Sequence, residues 1–187
     1  MLKYFLGALV LIGLGVVLFL GYAGFFHNVA VTEGVAGPYT LVYQKASGPY
    51  QNCAKPMDEV YKWLKDNKIE TAKGFGIYFD NPQTVPQDKL RYIAGCIVDD
   101  KTKLKGLKTD FIIKNFKATK SVIAVFPFKN TMSIIAGVMK VYPAITKYAA
   151  GKKLPPNAVM EIYDTPGKTI TYVMPVEKGF DGVKLYY

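Results

Sequence analysis

Hydrophobic positions along this chain fall into three kinds of run. The first is unbroken: YFLGALVLIGLGVVLFLGYAGFF, from Tyr4 to Phe26, contains no charged residue. About 20 apolar residues in a helix span the hydrocarbon core of a bilayer, and Tyr4, Tyr22, Phe25 and Phe26 suit its two interfaces. The pattern predicts an N-terminal transmembrane anchor over residues 1–27. A cleaved signal sequence is the rival reading, but its apolar region is usually only ~7–15 residues, and Gly21-Tyr22-Ala23 is a mediocre cleavage site. Membrane lipid is therefore an expected partner. Lys3 precedes the span and the next lysine is Lys45, so the positive-inside rule leans toward an exported domain.

The second kind of run alternates, and the third repeats at helical spacing. A tether, residues 28–37, leads into YTLVYQKAS, which alternates as a strand. Gly48-Pro49 breaks it, and a helix is expected from near Asn52 to Asn67. Its stripe is Cys53, Met57, Val60, Tyr61 and Leu64, with Trp63 off the stripe at a rim. GFGIYF and RYIAGCIVDD are two further strands. The second half repeats this order: KSVIAVFPF as a strand, TMSIIAGVMKVYPAITKYAA as a long helix with a kink at Pro143, then VMEIYDT and KTITYVMPV as a hairpin across Pro166-Gly167. Between the halves, TDFIIKNFKA supplies an extra strand or short helix.

The expected fold class is α+β. Two tandem strand–helix–strand–strand modules form an antiparallel sheet with two helices on one face, preceded by the transmembrane helix. The folded domain would cover residues 38–187, and the sheet face away from the helices would be free to bear ligands.

Charge changes the picture only a little. Lys and Arg number 24 against 14 Asp and Glu, a formal +10. Lys101, Lys103, Lys105, Lys108, Lys114, Lys117 and Lys120 recur through the joining segment. They read first as a solvated face, and second as an attraction for anionic headgroups. Nucleic acid is not an expected partner, because Arg91 is the single arginine and no zinc-finger or RNA-binding pattern occurs. His27 is the single histidine and adjoins the span, which excludes a Ser–His–Asp triad in the domain. Cys53 and Cys96 have no CxxC spacing and do not make a zinc set; one disulfide and two separate thiols both remain open. No metal or cofactor is expected.

Three stretches then carry a resemblance when taken in order: GPYQNCAKPMDEVYKWLKDNK, GFGIYFDNPQTVPQDKLRYIAGC and MEIYDTPGKTITYVMPVE. Together they resemble the GyrI-like small-molecule-binding superfamily over roughly residues 38–177. Asp80, Asn81, Pro82, Val85, Pro86, Asp88 and Lys89 also match the loop of its membrane-anchored branch. So do Phe126, Pro127, Ser133 and Ile134, and the Val141, Pro143 and Ala144 of the long helix. That branch includes an animal reticulophagy receptor with an acidic tail that these residues lack, so the resemblance extends to anchor and domain and not to the receptor role.

The resemblance implies a ligand cleft between the two modules, with a buried glutamate meeting cationic aromatic molecules. Glu161, in MEIY, matches that position, and strand alternation places Tyr163 on its face. Tyr172, Tyr39, Tyr43, Tyr78 and Tyr92 are the candidate walls, with Trp63 at the rim. The bland reading of Glu161 is an edge carboxylate paired with Lys168. Two other functions stand beside small-molecule binding. One is hydrolysis of electrophilic molecules, with Glu161 as base and Tyr163 positioning. The other is a membrane-tethered adaptor for a protein partner. An open cleft over Glu161 would favour ligand binding; a cleft plugged by Trp63 or tyrosines would favour the adaptor. The 74–96 loop region reads as a structural joint, with Asp80 as a turn former.

Overall fold

The computed structural model describes residues 2–177 and 179–187. Helix α1 (Leu2–Ala23) opens the chain, followed by β1 (Val31–Ala36), β2 (Tyr39–Ser47), α2 (Ala54–Asp66), β3 (Lys73–Tyr78) and β4 (Arg91–Val98). Then come β5 (Ile112–Phe116), β6 (Thr119–Pro127), α3 (Thr131–Gly151), β7 (Val159–Asp164), β8 (Thr169–Pro175) and a short α4 (Gly182–Tyr186). All eight strands join one antiparallel sheet in the order β1-β6-β8-β7-β3-β4-β2-β5. The expected α+β class is what the chain adopts. The runs β2-α2-β3-β4 and β6-α3-β7-β8 each go strand, helix, strand, strand, each with one further strand (β1 or β5) before it, and the two runs meet where β3 pairs with β7.

Alternation along the strands divides the core into two faces. On one face α2 packs Val60 and Leu64 against Val42, Cys96 and Val98. On the same face α3 packs Ala136, Val141 and Ile145 against Val122, Ala124, Phe126 and Tyr172. Asn130 starts α3 with a reciprocal cap: its side chain accepts from the Ser133 backbone N–H, and the Ser133 hydroxyl accepts from the Asn130 backbone N–H. The helix then continues through Pro143 without interruption.

The joining segment supplies the strand among its two expected alternatives: β5 pairs with β2. Three features depart from the sequence reading. Residues 31–36, placed in the tether, pair with β6 as an edge strand. Tyr61 is 48% exposed, because the buried stripe of α2 is set by Pro56, Val60 and Leu64. Finally, the sheet face expected to be free is covered. Phe180, Tyr186 and Tyr187 pack there against Leu41, Phe75, Ile77 and Phe116. The aromatic residues of VKLYY and Phe180 are apolar enough to be buried, but no periodic pattern marked where they would land.

Helix α1 stands apart. Lys3–Ala23 is long and apolar enough to cross a membrane, and its apolar length is not buried inside the protein; Ala23, at its very end, is.

Candidate ligand-binding site

Glu161 lies at the centre of β7, opposite Gly76 of β3 and Tyr172 of β8. It is on the helix face, over the seam between α2 and α3, and only 2% exposed. Position is decided by alternation: Met160 and Ile162 go to the other face, while Val159, Glu161 and Tyr163 face the helices.

Both carboxylate oxygens accept tyrosine hydroxyls. The Tyr163 O–H donates to Oε2 at 2.5 Å, and the Tyr142 O–H donates to Oε1 at 2.7 Å. The Tyr78 hydroxyl lies 3.3 Å from that of Tyr163. Tyr172 adds a ring edge-on to Tyr142, with centroids 5.8 Å apart; its buried hydroxyl has no partner among the described residues. Lys168, the bland partner for Glu161, is not among its contacts.

The glycines of GFGIYF now have a use. Gly76 leaves room for the Tyr78 ring, whose hydroxyl sits 2.8 Å from where a Cβ would stand. At Gly74 the Met57 sulfur occupies the equivalent space at 2.5 Å. Small residues on β3 therefore make a floor on which Tyr78 and Met57 lie beside Tyr163 and Glu161.

Electrostatics follow from burial. Desolvation pushes the Glu161 carboxyl above its ordinary value of 4.5, against the opposite pull of the Tyr163 and Tyr142 hydroxyls. The hydroxyls of Tyr78, Tyr142 and Tyr163 are pushed well up by burial first and by the nearby Glu161 charge second. Among the described residues, no Lys or Arg forms an ion pair with Glu161. An unpaired charge in such surroundings costs several kcal/mol, and two hydroxyl donors offset only part of that.

The sequence-chosen residues separate into two groups. Glu161, Tyr163, Tyr172 and Tyr78 come together. Tyr92 is one ring removed, stacked on Tyr78 at 6.2 Å. Trp63 packs on Phe111 at 5.6 Å over the β2–β4 side, in a different cluster. Tyr39 and Tyr43 lie on the opposite face: Tyr39 packs on Phe116, and the Tyr43 hydroxyl donates to the Tyr186 carbonyl at 3.0 Å. Odd positions of β2 point away from the helices, so neither can wall a cleft at Glu161. Sequence reasoning missed Tyr142, although it occupies the variable place in the Val-x-Pro-Ala run; a helix position gives no sign of which strand residue it will reach.

The cluster is closed by its own tyrosines. Two surface grooves, of about 570 and 630 Å³, lie elsewhere, along Val29, Val31 and Lys147 and along Tyr39, Ile97 and Lys117 respectively.

Taken together, fold and cluster define an α+β domain with a buried acidic group between two helices over an antiparallel sheet. The family model for the GyrI-like small molecule binding domain matches residues 36–173, and the chain belongs to that family. A curated relative, testis-expressed protein 264 homolog of Mus musculus, is 30% identical over 157 residues, covering 78% of this chain and 48% of that protein. The chain thus spans about half the length of the curated relatives it matches. Among solved structures, the EcmrR C-terminal domain superposes with a TM-score of 0.57 at 14% identity, covering 81% of this chain and 98% of that one. SAV2435 bound to tetraphenylphosphonium gives 0.51 at 11% identity, covering 80% and 94%. Those two likenesses concern the fold alone.

Proposed function

We propose that this chain is a membrane-anchored GyrI-like domain that binds a small cationic aromatic molecule at Glu161, with Tyr78, Tyr142, Tyr163 and Tyr172 as its walls. The observation that carries this reading is the Glu161 carboxylate, 2% exposed and held by hydroxyls without a cation. A cation admitted there gains the carboxylate's attraction, strengthened by poor solvation. Tyrosine faces add ~0.5–2 kcal/mol each through their quadrupoles. On this reading Tyr78 and Tyr142, both half-buried, swing aside to admit the ligand, and the two tandem modules are pseudo-repeats flanking the site. Helix α1 is an uncleaved anchor with the domain on the exported side.

The test is a thermal-shift titration of the full chain in nanodiscs with tetraphenylphosphonium as probe, alongside Glu161→Gln. Stabilisation of the wild type and its loss in the variant is the expected result. No shift, or equal shifts, would sink the model. The tyrosine plug favours a second reading, a membrane-tethered adaptor whose closed cluster only supports the fold. Wild type and Glu161→Gln would then respond alike to every cation. Hydrolysis with Glu161 as base fits less well, because both carboxylate oxygens are already engaged.

A further inference from the structure

Helix α3 has an exposed face unlike that of an ordinary surface helix. From Thr131 to Thr146 its one charged residue is Lys140, and the Lys140 ammonium turns aside to donate to the Phe25 carbonyl at 2.7 Å. Ile135, Val138 and Met139 are 46%, 43% and 63% exposed on that stretch. A helix covering a sheet normally shows a polar outer face, and contiguous exposed apolar surface marks a contact.

The same stretch holds the end of α1. Ala23 is fully buried. Gly24 has a φ of +99°, and a Cβ there would stand 2.9 Å from the Phe126 ring, so the chain leaves α1 pressed against the domain. The His27 ring packs edge-on to Phe126 at 5.4 Å, and the Lys129 ammonium lies 4.8 Å from the Tyr22 ring centroid. Residues 22–27 are thus fixed to residues 126–140 rather than joined to them by a loose linker.

We propose that the first half of α3 is a second membrane contact, with Ile135, Val138 and Met139 resting in the interfacial layer of the bilayer that α1 enters. This rests on reading α1 as an anchor. Lipid, rather than a protein, is the occupant because α3 itself holds the end of α1 through Lys140 and Phe25, and the Leu11, Ile12 and Leu18 of α1 are at least 64% exposed and require hydrocarbon around them. The boundary carries the residue types that favour an interface: Tyr22 and the 64%-exposed Phe26, with Lys129 beside them for acidic headgroups. The domain is then held at one fixed attitude to the membrane by two elements.

The test uses the full chain in phosphatidylcholine–phosphatidylserine vesicles, in a Cys53→Ser, Cys96→Ala background. Should that background lose its cooperative unfolding transition, Cys96 is retained, since it is only 2% exposed. An environment-sensitive fluorophore is placed by Ile135→Cys, Met139→Cys, Tyr61→Cys on α2 and Leu11→Cys in α1, each separately. Lipids brominated along the acyl chain serve as quenchers. The expected result is blue-shifted, quenched emission at positions 135 and 139, deep quenching at 11, and water-like emission at 61. Water-like emission at 135 and 139 with quenching at 11 overturns the proposal and leaves the anchor standing. Blue-shifted but unquenched emission at 139 means that protein covers it, and also overturns the proposal. Absence of quenching at 11 removes the anchor reading, and the proposal with it.

Discussion

Asp80 and Glu161 are the same chemical group in two different settings. Asp80 lies just beyond the end of β3, with its carboxylate gripped by Arg91: Oδ1 accepts from the guanidinium at 2.8 Å, and Oδ2 accepts from the Arg91 backbone N–H at 2.7 Å. The Tyr50 hydroxyl accepts from the Asp80 backbone N–H and donates to its carbonyl. The Arg91 side chain first, then its backbone N–H and its charge, hold Asp80 below its ordinary 3.8. Glu161 has no cation, only hydroxyls, and burial drives it upward. A carboxylate paired with an arginine at a loop shoulder is a joint. One held by hydroxyls without a cation over a sheet seam is the better candidate for recognition.

The comparison is broken or sharpened by four measurements, beginning with the largest effect. Glu161→Gln is expected to weaken tetraphenylphosphonium binding by at least about tenfold, the loss of one charge-assisted contact, while Asp80→Asn leaves it unchanged. Titration calorimetry in nanodiscs reads both, and equal losses would erase the distinction.

Stability is the reverse. Asp80→Ala removes the grip on Arg91 and is expected to lower the melting temperature by about 2–6 °C. Glu161→Gln, which removes a poorly solvated charge, lowers it less or raises it. Scanning calorimetry decides.

The pH dependences should carry opposite signs. Asp80 has a depressed folded-state pKa, so its contribution is present above 3.8 and is lost as pH falls through the folded value. Glu161 has a raised one, so the folded state holds its proton longer than the unfolded chain does. Its penalty is absent below 4.5 and grows as pH rises from there through the folded value. Glu161→Gln should therefore gain stability relative to wild type as pH rises from 4.5. A difference that stays flat with pH would show Glu161 to titrate as an ordinary carboxyl.

The smallest effect belongs to Tyr172→Phe. Its hydroxyl is buried without a partner among the described residues, so removal should leave stability unchanged or raise it by up to ~1 kcal/mol. Tyr163→Phe, which deletes the 2.5 Å bond to Glu161, should instead raise the Glu161 pKa further. Chemical denaturation reads the first, and NMR titration of the carboxyl reads the second.

How much of this was legible beforehand depends on the range of the interaction. Strands, helices and the apolar span follow from periodicity, because each residue's period is set by its own backbone. That Tyr163 shares a face with Glu161 follows from spacing within one strand. Tyr78 is a candidate wall from the resemblance alone, and the glycines before it punctuate GFGIYF visibly. Sequence order did not disclose that Gly76 would stand beside Glu161, since this depends on β3 pairing with β7 across 85 residues.

The chain's own pattern determined an apolar helix, an α+β domain, and a glutamate out of place in an apolar strand. Tertiary structure decided which tyrosines meet that glutamate. It drew Tyr142 in from α3, left Tyr39 and Tyr43 on the far face, turned residues 31–36 into an edge strand, and packed Phe180 and buried Tyr186 where an open surface had been expected. The physical reason is that periodicity sets the face a side chain takes on its own element. Only packing sets what lies opposite.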